Sequence, residues 1–157
     1  MGRRKKHPPE DLESCAMVCT LRLIDKKWAL LVIAELLEHE EGLTFSEIQR
    51  KILERTGEKI SPSVLSSTLV HLENNSVVHR RVLAEQRPIR VNYTLTDLGN
   101  KLIYVLALLK SWGLHWGQKT NKFCKAGECK HKQIPLIPIE KIQHLFDEFN
   151  STHEHES

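Results

Sequence analysis

The sequence lacks the features that mark membrane proteins, secreted proteins and most enzymes. The apolar stretch from Trp28 to Ala34 is far too short to span a bilayer. The N-terminal basic run is followed by prolines and acidic residues instead of an apolar segment, so a secretory signal is not expected. Four cysteines are too few for a disulfide scaffold, and no glycine-rich phosphate loop or HExxH motif is present. We therefore expect a cytoplasmic protein that is not an enzyme and has no membrane partner.

Helix and strand signals predict three segments along the chain. Residues 1–10 form a disordered basic arm, residues 11–118 form the main domain, and residues 119–157 form an extension. The extension is predicted to carry a short helix at about 138–149 and then a disordered tail. Within the main domain, apolar periodicity and capping signals predict helices over Leu12–Ile24, from Trp28 onward, from the Thr44 capping box to about Arg55, and from Ser61-Pro62 to about Asn75.

A β-hairpin and a long helix follow. The runs Val77–Leu83 and Arg90–Leu95 are rich in β-formers, and Thr96 is expected to cap a helix that continues to about Gln118. Helices, then a hairpin, then a long helix is the order of a winged helix-turn-helix. The predicted fold class is therefore mainly α with a small β-hairpin wing.

The helices that begin at Thr44 and at Ser61-Pro62 form the helix pair of this fold. The second of them presents polar side chains opposite a leucine stripe, Leu65, Leu69 and Leu72, that is expected to be buried. In this fold that helix enters the major groove, where hydroxyl and imidazole groups can bond to base edges or phosphates. An ordinary solvated helix face would show the same pattern. The predicted DNA-contacting residues of this helix are Ser61, Ser63, Ser67, Thr68 and His71.

The hairpin carries four arginines, Arg80, Arg81, Arg87 and Arg90, against the single acid Glu85. Arginines at the base and tip of a wing can neutralise phosphates and release counterions. Charged residues also protect edge strands from aggregation, which is the alternative interpretation. Because the arginines directly follow the helix pair, we favour double-stranded DNA as the partner.

Five short motifs occur in order between about residues 15 and 117: Leu23-Ile-Asp-Lys-Lys-Trp-Ala-Leu-Leu-Val-Ile, Phe45-Ser-Glu-Ile, Ile60-Ser-Pro-Ser-Val-Leu-Ser, His71-Leu-Glu and Val91-Asn-Tyr-Thr-Leu-Thr-Asp-Leu-Gly. Together they resemble the HxlR-type transcriptional regulators, a winged-helix group related to the MarR-like repressors. The resemblance implies a homodimeric DNA-binding regulator without catalytic activity. The chain departs from the pattern at Ser63 and Thr68, where many members carry basic residues, and at Ala16, where proline is usual.

The resemblance also implies a candidate thiol sensor. In many members a cysteine lies thirteen residues before the tryptophan of the Lys-Trp motif, and Cys15 has that position relative to Trp28. Cys19 follows four residues later and is the second redox candidate. The alternative is that both are small buried hydrophobic residues on the first helix.

The long helix carries an apolar stripe whose members step by four and three residues, the spacing of a coiled-coil seam. We predict dimerisation through this stripe and the N-terminal helix, although the stripe could instead cover the protein's own core. Two-fold symmetry then predicts a pseudo-palindromic operator with half-sites about 10 bp apart or a multiple of that. The stripe comprises Leu98, Leu102, Val105, Leu109, Trp112 and Trp116.

The extension contains a group of potential metal ligands, Cys124, Cys129 and His131. They could supply three ligands of a tetrahedral zinc site, with His115, Cys15 or Cys19 as the fourth. A reversible disulfide and two inert thiols remain equally open. No cofactor is expected to be required.

The net charge of +3 averages unlike segments. Basic residues concentrate in residues 3–6, in the hairpin and in residues 119–132, whereas residues 41–75 carry four basic and five acidic residues. We therefore predict a homodimeric, sequence-specific DNA-binding regulator, thiol-responsive through its cysteines, that is held mainly by phosphate contacts. The near-neutral helix pair motivates the alternative, a winged-helix protein-interaction module without specific DNA binding.

Overall fold

The computed structural model describes residues 14–85, 87–117 and 128–153, and over these ranges the chain is mainly helical with one small antiparallel sheet. No helix in the described ranges is long and apolar enough to cross a membrane. In chain order the elements are α1 (Ala16–Ile24), α2 (Lys27–Glu38), β1 (Leu43–Thr44), α3 (Phe45–Thr56), α4 (Pro62–Asn74), β2 (Val78–Leu83), β3 (Arg90–Leu95), α5 (Asp97–Trp116) and α6 (Ile139–His153). The predicted winged helix-turn-helix is confirmed.

Local signals set the ends of α3 and the start of α4. The Glu47 backbone N–H donates to the Thr44 hydroxyl, and the Thr44 N–H donates to the Glu47 carboxylate at 2.8 Å, which completes the predicted capping box. The Thr44 hydroxyl also donates to the Glu47 carboxylate at 2.7 Å, and this bond, together with the bond from the Thr44 N–H, lowers the pKa of Glu47. Helix α3 ends at Gly57 in the left-handed conformation, and Ser61 caps α4 with Pro62 at its first position.

Helix α2 is the centre of the core. It is apolar on nearly every side, and its residues from Leu31 to Leu36 are all buried against α3, α4 and β3. The one charged residue among them, Glu35, is fully buried. Its carboxylate pairs with the guanidinium of Arg55 from the end of α3, and Arg55 also donates to Glu38 at 2.6 Å. Removal of Arg55 would leave the buried Glu35 carboxylate uncompensated, so this pair fixes α3 against α2.

The sheet order is β1-β3-β2, with all pairs antiparallel. The register runs from Val78↔Leu95 to Leu83↔Arg90 between β2 and β3, and includes Leu43↔Tyr93 between β1 and β3. Gly42 precedes β1 with φ of 90°, and a Cβ there would clash with the Asn92 side chain. The Asn92 amide instead donates to the carbonyl of Glu41 at 2.7 Å, which holds β1 on the wing.

A tight junction joins the end of α4, the base of the wing and the start of α5. Ser76 has a positive φ of 58° and turns the chain from α4 into β2. The hydroxyl of Thr96 donates to the Ser76 carbonyl at 2.6 Å, and the Thr96 backbone N–H donates to the Val77 carbonyl at 3.1 Å. Gly99 passes so close to Val77 that a Cβ would overlap the Val77 carbonyl oxygen. Contacts among a few backbone atoms thus fix the positions of α4, β2 and α5 relative to one another.

The extension packs against the main domain. We name residues 128–138 the strap, because they run from α3 across α5 to α6. The Lys110 ammonium donates to the carbonyls of His131 at 2.9 Å and Ile134 at 2.6 Å, and the Ile137 N–H donates to the Ser111 hydroxyl at 2.8 Å. Ile134 is buried in the common core.

Two predicted boundaries change. Helix α6 continues to His153, so residues 150–153 are helical where a disordered tail was expected. Helix α1 begins at Ala16, with Cys15 as its N-cap, and the predicted start at Leu12 lies outside the described residues, as does the basic arm at residues 1–10. The long helix, predicted to continue to about Gln118, ends at Trp116.

Replacement of Gly99 by alanine is expected to destabilise the protein by about 1–3 kcal/mol, because the added methyl group forces α5 away from Val77. The matched control is Gly113→Ala on the same helix, where a Cβ meets nothing within 4 Å. The control is expected to be neutral or to stabilise by about 0.5–1 kcal/mol. Urea unfolding at one fixed protein concentration measures both, and equal stabilities would contradict the tight junction.

Candidate nucleic-acid interface

The helix pair is held together through the turn between α3 and α4. Ile60 in this turn is fully buried, and its carbonyl accepts a hydrogen bond from the Gln49 side chain of α3 at 2.8 Å. Leu65, Leu69 and Leu72 of α4 are buried, as the leucine stripe predicts. The opposite face of α4 is therefore presented to solvent at a fixed angle to α3.

The exposed face of α4 carries neutral hydroxyl groups. Ser61, Ser63 and Ser67 are all exposed. The Ser61 hydroxyl accepts from the Val64 N–H at 3.3 Å and lies 3.2 Å from the Ser63 hydroxyl, and the Ser67 hydroxyl donates to the Val64 carbonyl at 3.0 Å. Each hydroxyl keeps hydrogen-bonding capacity for a further partner. This face can bond to bases or phosphates but carries no charge of its own.

Two residues predicted for this face do not lie on it as expected. Thr68 is only 5% exposed, and its hydroxyl donates to the Val64 carbonyl at 2.8 Å, so it belongs to the core side of α4 and cannot contact DNA. His71 is half-buried, and its Nε2 atom is enclosed without a hydrogen-bond partner among the described residues. Thr68, where many members of the family carry a basic residue, therefore faces the core and not the solvent.

Sequence reasoning missed Val64 and Ser66, which are also exposed on α4. The first turn of α4 extends beyond the core, so residues 61–64 are exposed on every side of the helix. The serine and proline that begin the helix were the available signal, because a capped first turn has little to pack against.

The wing presents its four arginines to solvent. Arg80 and Arg81 lie in β2 opposite Tyr93 and Asn92, whereas Arg87 lies at the hairpin tip and Arg90 begins β3. All four are exposed. Over the described ranges none of these guanidinium groups forms a salt bridge, so their charge is available to an external anion.

The wing tip also exposes an apolar side chain. Ile89 lies between Arg87 and Arg90 and is 66% exposed. The tip therefore combines a hydrophobic group with two cations.

Most of the predicted dimer stripe is exposed on α5. Its five exposed members are Leu98, Val105, Leu109, Trp112 and Trp116. Leu102 is only 8% exposed and packs in the core of its own subunit, so its assignment to the dimer interface is corrected. Helix α1 adds two exposed apolar residues, Met17 at 71% and Leu21 at 51%. Contiguous apolar exposure of this kind marks interaction surfaces.

The two redox candidates are exposed, which overturns the alternative that they are buried hydrophobic residues. Cys15 is the N-cap residue of α1, and the nearby backbone N–H groups of Val18 and then Met17 lower the pKa of its thiol. A helix N-terminus stabilises a thiolate in this way without a cationic side chain. Sequence spacing had placed Cys15 inside the helix and so had not revealed this effect.

The candidate zinc ligands are only partly described. Cys129 and His131 are half-buried on the strap, and Cys124 lies outside the described residues. Burial, and then the charges of Lys110 and Arg55, lower the pKa of His131, which favours its neutral imidazole. Glu35, Glu38 and His39 form one other group with ligand atoms within 4.8 Å of one another, but both carboxylates already pair with Arg55.

Comparisons with known proteins agree with this geometry. A family model described as HxlR-like helix-turn-helix matches residues 23–121. The chain is 31% identical over 123 residues to the HTH-type transcriptional regulator YdeP of Bacillus subtilis, which covers 78% of this chain and 90% of YdeP. The reduced form of the B. subtilis regulator YodB is similar in structure, with a TM-score of 0.58 at 30% identity over 68% of this chain and 98% of YodB. The redox regulator HypR in its oxidized form is similar with a TM-score of 0.52 at 29% identity, over 63% of this chain and 94% of HypR.

Cys15 is expected to react with iodoacetamide at lower pH in the folded protein than in the same chain unfolded in urea, because its thiolate accepts backbone N–H bonds only when α1 is formed. Peptide mapping of alkylation against pH measures the two midpoints. The folded protein should give the lower value. Identical midpoints would show that the N-terminus of α1 does not stabilise the thiolate.

Proposed function

Because the chain belongs to the HxlR-like helix-turn-helix family of transcriptional regulators, we propose that it binds double-stranded DNA as a homodimer and recognises a pseudo-palindromic operator. Its relatives are transcriptional regulators and not enzymes. In the proposed complex α4 lies in the major groove and the wing lies over the adjacent phosphates.

The single observation that carries the proposal is the exposed positive charge of the wing, which forms no salt bridge with the described residues, beside the exposed face of α4. Arg80, Arg81, Arg87 and Arg90 present their guanidinium groups to solvent, and guanidinium groups bind phosphate in bidentate geometry. The hydroxyls of Ser61, Ser63 and Ser67 can then select among base edges or bond to phosphates. Affinity comes chiefly from the wing, and discrimination from α4.

The homodimer is supported by two exposed apolar faces, one on α5 and one on α1. The α5 face ends in Trp112 and Trp116, and aromatic side chains of this size are enriched where subunits meet. Burial of both faces against a second copy would remove them from water and place two copies of α4 on one side of the dimer. Half-sites about 10 bp apart, or a multiple of that, follow from this symmetry.

We further propose that Cys15 is the thiol through which the regulator responds to oxidants or electrophiles. The thiol is exposed and its pKa is lowered, which are the two properties that make a cysteine reactive. The structural relative HypR is a redox regulator, which supports the same role here. The position of Cys15 on α1, beside Met17, would couple its modification to the proposed dimer interface.

The double variant Arg87→Ala/Arg90→Ala is expected to weaken binding to DNA fragments of any sequence. It is also expected to make the slope of log K against log salt concentration shallower by roughly 2, because about 0.9 counterion is released for each of the two phosphate contacts. Fluorescence anisotropy against fragments of the chain's own promoter region, over a series of salt concentrations, measures both effects. The charge-matched control is Lys26→Ala/Lys141→Ala, which removes two exposed cations from the start of α2 and from α6.

The control should bind as the wild-type protein does. If the wild-type protein binds no fragment at low ionic strength, or if its binding does not depend on salt, the DNA-binding proposal is wrong. Co-purification with a protein partner would then favour the interaction-module alternative.

Trp112→Glu is expected to convert the homodimer into a monomer, because it places a charge in the proposed apolar interface. Multi-angle light scattering after size exclusion measures the mass. Tyr104→Glu on the same helix is the control, since Tyr104 is 75% exposed but lies off the predicted stripe. The proposal fails if Trp112→Glu remains dimeric, or if the wild-type chain is already a monomer.

A further inference from the structure

A cavity of about 400 Å³ lies where α1 and α2, α5 and the strap meet. Its wall is mostly apolar: Ile24 and Leu30 come from α1 and α2, Leu106 and Leu114 from α5, and Ile134 from the strap. This volume lies within the range of about 300–1,000 Å³ that is usual for small-molecule sites, and such sites combine apolar walls with a few polar groups.

Part of the cavity wall lies outside the segment that the family model matches. The family model matches residues 23–121, whereas the strap comprises residues 128–138. The residues that close the cavity from the strap side, Cys129, His131, Ile134 and Leu136, therefore lie outside the matched segment. A ligand here would contact the strap and the helices of the DNA-binding domain at the same time.

One cation lies in the otherwise apolar wall. Lys110 is half-buried, and its ammonium group donates to the carbonyls of His131 and Ile134 on the strap. These bonds use two of its three protons. Within the described part of the chain no carboxylate forms a salt bridge with Lys110, so its charge is not neutralised there.

A half-buried ammonium beside an apolar space favours an anion that brings its own apolar body. The strap carbonyls of His131 and Ile134 hold the Lys110 ammonium in position at the wall of the cavity. A charge-assisted bond from an ammonium to a carboxylate is roughly twice as strong as a bond between neutral groups. The geometry points to a binding site for a small apolar carboxylate, with its hydrocarbon or ring in the cavity and its carboxylate at Lys110.

Isothermal titration of the full chain in the absence of DNA tests this site directly, with 2-naphthoate as the probe and 2-naphthamide as its uncharged counterpart. The wild-type protein is expected to bind 2-naphthoate about tenfold or more tightly than the amide. Because no DNA is present, the result does not depend on whether the chain binds an operator.

Two variants locate the site. Gly113 lines the cavity and a Cβ there meets no atom within 4 Å, so Gly113→Leu is expected to fill the space and lower affinity for 2-naphthoate about tenfold or more, whereas Gly113→Ala keeps it within about twofold. Lys110→Met is expected to remove the preference for carboxylate over amide. If Lys110→Met disturbs the strap, the Gly113 pair still decides the outcome.

Absence of 2-naphthoate binding to the wild-type protein overturns the proposal, and so does equal binding by Gly113→Leu. In one further outcome the wild-type protein is a dimer that binds neither probe, and Gly113→Leu is a monomer. A second copy of the chain would then occupy the cavity, and this result also overturns the proposal.

Discussion

The close approach of Gly99 to the Val77 carbonyl is the constraint on which the functional geometry depends. At this point the end of α4, the base of the wing and the start of the long α5 helix are held by the backbone and hydroxyl of Thr96. No flexible linker separates the surface proposed to bind DNA from the surface proposed to dimerise. Since α5 leaves the junction at a fixed angle, the spacing of two α4 helices in a dimer is set by packing within each subunit.

Local signals in the sequence predicted most of the fold because they depend on neighbouring residues alone. The capping box at Thr44 and the Ser61-Pro62 start are satisfied by atoms within one helical turn, and strand β3 has the predicted limits. The wing and its exposed arginines followed from the same kind of evidence. These features positioned the candidate interface before any tertiary contact was known.

The errors in the assignment of site residues concern features that only tertiary packing decides. Thr68 and Leu102 lie at the boundary between a buried and an exposed face, and a rotation of the helix by a fraction of a turn determines the side on which each one lies. The strap is joined to α3 and α5 by contacts such as Lys130 to the Arg55 carbonyl, across 75 residues of sequence. Neither periodicity nor composition reports such contacts, so the cavity beside Lys110 had no signal in the sequence.

The separation of charge between the wing and α4 has a consequence for how an operator is found. In the proposed complex the arginines would attract every phosphate backbone equally, whereas the exposed, neutral serines of α4 would supply the sequence-dependent contacts. A regulator built in this way spends much of its time on non-operator DNA and moves along it by sliding and hopping. Promoter occupancy then depends on the number of regulator molecules relative to the competing sites in the whole genome, and not on operator affinity alone.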